Sequence, residues 1–313
     1  MSSRTFRTLV TLAAAAACAC AQGRGATTAA GQDARASRGS ARPSPAAPAP
    51  PNAAAATPTP DAPPFPARER GADAFEPFVR LSGGRRFESR EDGRKPARKD
   101  LVVGADYPVL LGDGGRAARE FNRRARAIAV GEVTPYLGDG PDPEKAKHPH
   151  WKDVEEHLHV SHKVVFASDE LVSVFFYVTG YNWGAGHGYH QPLTFNFDLK
   201  AGRELKLARL FKPGSGHLRR IAELCAEDLS RQYARQFGRP DPFGKGATLV
   251  EGLRPKADNF KSWVVTRDGL VFIFEEYQVV AYADGEPKVL IPFDRLSDII
   301  DPRGPLAALA ARE

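Results

Sequence analysis

Hydrophobic residues recur along the chain with two different periods, and their order predicts a mixed fold. Spacings of three and four residues predict helices over 115–136, where Phe121, Ala125 and Ile128 share one face, and over 215–237. Aromatic and β-branched runs predict strands over 75–81, 100–111, 156–167, 170–181, 193–199, 204–207, 263–266, 270–274 and 289–292. A short terminal helix is predicted over 293–300. Because helices separate groups of hairpin strands, we expect an α+β fold, mainly of antiparallel β-hairpins with two main helices and a short C-terminal helix.

The first 67 residues follow neither period. Residues 1–21 have the pattern of a signal peptide, with Arg4 and Arg7 before an apolar run and small residues ahead of a cleavage at Gln22. That run is too short to span a bilayer, which takes roughly 20 residues. Residues 22–67 are predicted to be a disordered linker, since positions 43–66 contain ten prolines. The predicted location is therefore extracytoplasmic, meaning periplasm, cell envelope or secreted.

The three cysteines bear on anchoring and on chemistry. Small residues before Cys18 also fit a lipoprotein signal, so a lipid anchor at Cys18 stays open beside a free mature protein. Membrane association is expected only through that anchor. Cys20 also belongs to the leader, which leaves Cys225 without a partner for an internal disulfide. We expect Cys225 to be a buried apolar side chain rather than a catalytic thiol.

The net charge of +6 does not indicate nucleic-acid binding once it is divided along the chain. Six arginines against Asp33 and Asp61 place +4 of it in residues 1–67, which leaves +2 for the remainder. A nearly neutral domain has no bulk attraction to phosphate backbones, so no nucleic-acid partner is expected. The basic cluster between Arg116 and Arg126 lies on a predicted helix, where a solvated face is the favoured interpretation.

The most distinctive segment is residues 177–211, which reads YVTGYNWGAGHGYHQPLTFNFDLKAGRELKLARLF. Its glycine-rich turn holds the four candidate ligand-binding residues, Trp183, His187, Tyr189 and His190. Two interpretations stay open for the aromatic residues of this turn. They pack beneath the turn as core, or they form an exposed recognition surface, because Trp and Tyr dominate binding hot spots.

No pattern in the sequence identifies a catalytic, metal or cofactor site. Seven histidines lie between positions 148 and 190, but HLHVSH lacks zinc-ligand spacing, so no metal is predicted. GAGHG lacks the third glycine of a dinucleotide fingerprint and a following helix, so no cofactor is predicted. Glu275 and Glu276 are adjacent in a predicted strand and would face opposite sides. We therefore predict no catalytic residue.

The order of motifs from residue 156 to residue 300 resembles a known domain. The motifs are the GAGHG turn, the NFDL hairpin, DGLVFIF, EYQVVAYADG and VLIPF. They resemble the extracytoplasmic domain of lysozyme-responsive anti-sigma factors, a domain of unknown function that also occurs in some peptidoglycan deacetylases. The resemblance implies a companion α+β segment over 68–150, the domain itself over 151–302 and a tail over 303–313. In the anti-sigma relatives the module binds lysozyme, which implies a protein or cell-wall ligand here.

These observations together predict an exported binding or sensing module of the cell envelope, not an enzyme. Neither sigma-factor signalling nor deacetylation is expected, because the matching regions of the relatives are not found in this sequence. The alternative is a peptidoglycan-acting hydrolase that uses His187 with a nearby carboxylate such as Asp198.

Overall fold

The fold is α+β, as the sequence predicts. The computed structural model describes residues 74–75, 79–112, 115–138, 140, 142–151, 153–237 and 248–311. The predicted signal peptide, the linker and Cys18 lie outside these residues. Among the described residues, no helix is both long enough and apolar enough to cross a membrane.

Seven strands form the larger sheet. Their bounds are β1 Arg80–Leu81, β2 Arg86–Glu91, β3 Leu101–Leu111, β4 Glu156–Ala167, β5 Leu171–Tyr181, β6 Tyr189–Asp198 and β7 Arg203–Glu204. The order is β2-β3-β4-β5-β6-β7, and β1 pairs with the end of β4. The pairs β4–β5, β5–β6 and β6–β7 are antiparallel hairpins, as predicted. The pairs β3–β4 and β1–β4 are parallel, which the hairpin pattern did not predict.

A second, smaller sheet has the order β10-β9-β8. Its strands are β8 Trp263–Val265, β9 Gly269–Ile273 and β10 Lys288–Pro292. The main helices are α1 Arg116–Leu137 and α3 His217–Phe237, and the short ones are α2 Pro143–Ala146 and α4 Ala307–Ala310. The helix predicted over 293–300 is instead a 3₁₀ turn, Phe293–Leu296.

The two sheets pack face to face, and a helix covers each outer face. Phe121 and Ala125 of α1 pack against one face of the larger sheet, through residues such as Val174 of β5. The opposite face of β5 meets the smaller sheet, where Phe175 shares a cluster with Val264, Val271 and Ile273. The far face of the smaller sheet packs on α3. Since side chains alternate along a strand, consecutive residues along β5, and likewise along β6, lie in different layers.

A buried polar network joins the two sheets. The side-chain amide of Asn196 on β6 donates to the carbonyl of Trp263 on β8, at 2.8 Å. The Ser173 hydroxyl of β5 donates to the amide oxygen of Asn196 and accepts from the backbone N–H of Val265, at 2.9 Å. Because both polar side chains are buried, these bonds fix how the smaller sheet sits on β5 and β6.

Candidate functional site

The connection between β5 and β6 places the four candidate residues at one end of the larger sheet. Gly180 pairs with Tyr189, and Thr179 pairs with His190. The intervening turn contains Gly184 at a φ of 77°, a conformation that favours glycine. Since β6 begins at Tyr189, the side chains of Tyr189 and His190 point to opposite faces of the sheet.

Trp183 contacts the segment around α2. Its indole Nε1 donates to Oδ2 of Asp142 at 3.1 Å, and its ring centroid lies 5.7 Å from that of His148. The same Asp142 caps α2 by accepting from the backbone N–H of Glu144. Trp183 therefore fixes the turn between β5 and β6 against the segment around α2, at a place separate from His187 and His190.

Tyr189 packs on the α1 side of the sheet. Its ring lies directly over Gly180, where an added Cβ would come within 2.4 Å of the tyrosine Cζ. Burial raises the pKa of Tyr189, and the charge and hydrogen bond of Tyr136 on α1 act in the same direction. Tyr189 thus belongs to the sheet–helix interface, and it requires a glycine at position 180.

His187 and His190 meet at a stack of rings that we call the aromatic column. Successive centroids are separated by 4.5, 5.9, 5.6, 6.2 and 6.1 Å. In order, its rings are those of Phe75, Phe175, Tyr177, His190, Tyr282 and Tyr277. The first two rings are fully buried, whereas Tyr277 is 58% exposed. The column therefore runs from the core between the sheets to the surface.

His187 completes the exposed end of the aromatic column. Its ring stacks on Tyr282 with centroids 3.9 Å apart, and its Nε2 lies 3.3 Å from the Tyr277 hydroxyl. Its Nδ1 lies 2.6 Å from the carbonyl oxygen of Gly188. The imidazole is thus held between the turn and the two tyrosines while it remains exposed to solvent.

The loop that carries the two tyrosines is held in a strained shape. Tyr277 has a φ of 63°, which is unusual for a bulky side chain and costs on the order of 1–3 kcal/mol. The neighbouring Gln278 secures the loop, because its side chain accepts from the N–H of Glu275 and donates to the carbonyls of Gly252 and Asn259. Strain that the surroundings enforce at an exposed aromatic residue motivates a functional hypothesis for Tyr277.

Charged groups line the buried side of the column. The Nδ1 atom of His190 lies 2.7 Å from Oε1 of Glu276, a carboxylate that is only 8% exposed. Glu286 and Lys288 are fully buried and lie 2.7 Å apart. The ammonium group of Lys288 also lies 5.9 Å from the ring centroid of Phe75. Burial raises the pKa of Glu286, and the cation of Lys288 opposes that shift.

This arrangement suits ligand binding better than the alternative prediction of a hydrolase that uses His187 with Asp198. His187 and Asp198 lie at opposite ends of β6, roughly 30 Å apart at the rise of an extended strand, so that pairing is wrong. The oxygen Oδ1 of Asp198 instead accepts from the N–H of Ala201 in the next turn. The carboxylate that contacts a histidine of the site is instead that of Glu276, beside His190. Within the described residues, no group of three or more His, Cys, Asp or Glu side chains is placed to hold a metal.

Sequence reasoning did not bring to this site the residues that the loop between β9 and β10 contributes, and it placed Glu276 in a strand, whereas β9 ends at Ile273. These residues are Glu276, Tyr277, Tyr282 and Glu286. Two tyrosines and several acids within twelve residues between two apolar strands were the available signal. Their pairing with a turn about 90 residues earlier was not apparent, because it depends on how the two sheets pack.

Comparisons with known proteins agree with the resemblance predicted from the sequence. Residues 208–294 match a family described as "Protein of unknown function (DUF3298)". The peptidoglycan-N-acetylmuramic acid deacetylase PdaC of Bacillus subtilis (strain 168) is 30% identical over 143 residues. That alignment covers 46% of this chain and 29% of PdaC, so the chain spans less than a third of this relative. The predicted link to a domain found in a peptidoglycan deacetylase is confirmed.

A solved structure of a DUF3298 family member shares the fold. A DUF3298 family member from Bacteroides fragilis NCTC 9343 superposes with a TM-score of 0.52 at 18% identity, covering 75% of this chain and all of that one. A DUF3298 family protein from Pseudomonas aeruginosa PAO1 gives a TM-score of 0.46 at 14% identity, over 72% and 96% of the two chains. The matched range, residues 208–294, includes Lys288 and the loop with Tyr277 and Tyr282, but not the turn with His187 and His190. Residues 208–294 of this chain are therefore similar to the family described as DUF3298.

Proposed function

We propose that this protein is a non-enzymatic binding module of the cell envelope, and that peptidoglycan glycan is its ligand. The observation that carries the proposal is the exposed end of the aromatic column. There the rings of His187 and Tyr277 stack on Tyr282, and His187 and Tyr277 are exposed to solvent with their polar atoms 3.3 Å apart. We call these three residues the column tip.

The column tip has the chemistry that sugar recognition needs. Flat rings stack against the C–H faces of sugar rings, while the tyrosine hydroxyls and the imidazole can exchange hydrogen bonds with sugar hydroxyl and amide groups. Both tyrosines are held in place by stacking, so little side-chain entropy is lost on binding. The strained backbone of Tyr277 is consistent with a position maintained for recognition rather than for stability.

The envelope location rests on the N-terminal sequence and on one relative. Residues 1–21 have the pattern of an export signal, and PdaC is by its name an enzyme that acts on peptidoglycan. A shared region of 143 residues supports a shared working place and a shared kind of ligand. A protein ligand, which the resemblance to anti-sigma factors implies, is the other outcome that the binding test distinguishes.

One observation favours a hydrolase as the second candidate. A carboxylate 2.7 Å from Nδ1 orients the imidazole of His190, as in a pair in which a histidine acts as general base. His190 is, however, sandwiched between Tyr177 and Tyr282, and its side chain is only 22% exposed. The pair of His190 and Glu276 is therefore better placed to stabilise the stacking of the aromatic column than to contact a substrate.

The proposal is tested by sedimentation of the purified protein with insoluble peptidoglycan. Truncating an aromatic hot spot costs about 2 kcal/mol or more, so Tyr277→Ala should raise the Kd roughly 30-fold. The matched control is Leu81→Ala, which removes an exposed apolar side chain, 49% exposed, at the far end of β4. Equal binding by both variants, or binding to lysozyme alone, would contradict the proposal. Release of soluble sugar or acetate would instead favour the hydrolase.

A further inference from the structure

We infer that a cleft at the other end of β6 binds a phosphate-bearing polyanion. The cleft has a volume of about 670 Å³ and lies between the first turns of α1 and the turn that joins β6 to β7. Its charged lining consists of Arg116, Arg119, Glu120, Arg123 and Lys200. We call it the basic cleft. Its size falls in the range of pockets that take small ligands or polymer segments.

The two walls of the basic cleft are fixed relative to each other. The turn between β6 and β7 is closed by Asp198, whose Oδ1 accepts from the N–H of Ala201 at 2.7 Å. Gly202 in that turn has a φ of 64°, and a Cβ added there would touch Ala117 of α1 at 3.9 Å. The cleft is therefore already formed before a ligand arrives, which lowers the cost of binding.

The lining has a strong excess of positive charge. Among the described residues, the lining has four cationic side chains and one carboxylate, that of Glu120, while Lys200 also lies 3.7 Å from Glu170 outside the lining. Hydrogen bonds from Arg123 and Arg124 lower the pKa of Glu120 to about 2, so this carboxylate stays ionised and holds the Arg123 guanidinium in position. A concave surface of one sign concentrates ions of the opposite sign.

A neighbouring cavity shows that this excess is local. It has a volume of about 330 Å³ and lies beyond Arg203, on the other side of the same turn. Its four cations are nearly balanced by three carboxylates. The charged lining consists of Arg203, Lys206, Arg209, Arg303, Asp198, Glu204 and Asp301. The preference for anions thus belongs to the basic cleft and not to this whole end of the molecule.

The spacing of the arginines favours a chain of phosphates over a single ion. Arg116, Arg119 and Arg123 follow one another at three and four residues, so they form a row on one face of α1 with neighbouring Cβ atoms about 5–6 Å apart. A guanidinium group binds phosphate oxygens in a forked geometry, and a row of them can engage successive phosphates. The part of the lining that the structure describes contains no aromatic side chain on which a base could stack, which favours a phosphate polymer without bases.

This inference does not depend on the proposed function, because the basic cleft and the column tip lie at opposite ends of β6. The test is titration of the purified protein with fluorescently labelled long-chain polyphosphate in moderate salt. The variant Arg119→Gln/Lys200→Gln should raise the Kd at least tenfold. The matched control Arg209→Gln/Arg303→Gln loses the same charge from the balanced cavity and should change the Kd less than twofold.

Three results would overturn the inference. They are an equal loss of affinity in the two double variants, no binding of polyphosphate by the unaltered protein, and binding to phosphatidylglycerol vesicles or single-stranded DNA in preference to polyphosphate. All four substituted side chains are exposed, so the variants are expected to fold. Their thermal unfolding midpoints should match that of the parent. Inorganic phosphate should compete only weakly, since one phosphate contacts only part of the arginine row.

Discussion

Removing the buried cation beneath the aromatic column should destabilise the protein in a pH-dependent way. In Lys288→Met, Glu286 loses the ammonium group 2.7 Å away while it stays fully buried. The folded variant avoids an unpaired buried charge by protonating Glu286. Against an ordinary pKa of 4.5, holding that proton costs about 3.4 kcal/mol at pH 7 and about 0.7 kcal/mol at pH 5. The pH 7 value agrees with the roughly 3–5 kcal/mol expected when one partner of a buried pair is removed.

The sign of the pH dependence follows from proton linkage. The folded variant keeps the proton on Glu286, whereas the unfolded chain releases it above pH 4.5. The free energy of unfolding of the variant should therefore fall as pH rises, by up to about 2.7 kcal/mol more than in the parent between pH 5 and pH 7, since burial already raises the pKa of Glu286 in the parent. Urea unfolding at the two pH values measures this difference, and Glu286→Gln/Lys288→Met should abolish it.

A surface pair provides the matched control. Lys261 lies 2.9 Å from Glu275, with side chains 59% and 34% exposed. Lys261→Met should cost about 1 kcal/mol or less, with no added difference between pH 5 and pH 7. If Lys288→Met is equally mild, or if its cost is the same at both pH values, Glu286 does not depend on Lys288 for its charge, and the reasoning is refuted.

Two further predictions concern the sheets. Asn196→Ala should lower the free energy of unfolding by about 2–3 kcal/mol in urea titrations. The reason is that it leaves the buried Trp263 carbonyl and the Ser173 hydroxyl without their amide partner. A loss below about 0.5 kcal/mol would contradict this prediction. His162→Gln should reduce the loss of stability between pH 7 and pH 5. Burial lowers the pKa of His162 from 6.5, so as pH drops the unfolded chain takes up this proton before the folded protein does. The free energy of unfolding therefore falls as pH drops. An unchanged pH profile in the variant would argue against the burial of His162.

The local elements were predictable because their patterns are local. The helices expected over 115–136 and 215–237 match Arg116–Leu137 and His217–Phe237 to within two residues, since each buries one stripe of apolar side chains. The hairpins of the larger sheet follow from alternation and turn residues. The parallel pairing of β3 with β4 was not predictable in this way. Helix α1 intervenes between these strands, and only the packed sheet brings them together.

The candidate site was predictable only in part, for the same reason. The turn with His187 and His190 stood out because aromatic and imidazole side chains lie together on a glycine-rich turn. The strand was expected to begin at 193. Because β6 begins at Tyr189, alternation sends Tyr189 and His190 to different layers. Tyr282 reaches the site only through the packing of the smaller sheet, which no short-range pattern encodes.

The most direct test of the binding proposal follows individual tyrosines during titration with soluble peptidoglycan glycan fragments. The chain has eight tyrosines, and ¹³C labelling of their rings resolves them by NMR. The resonances of Tyr277 and Tyr282 should shift and saturate with one common Kd, while those of Tyr107 and Tyr233 stay unchanged. Saturable binding that leaves Tyr277 and Tyr282 unperturbed would contradict the assignment of the column tip as the recognition surface.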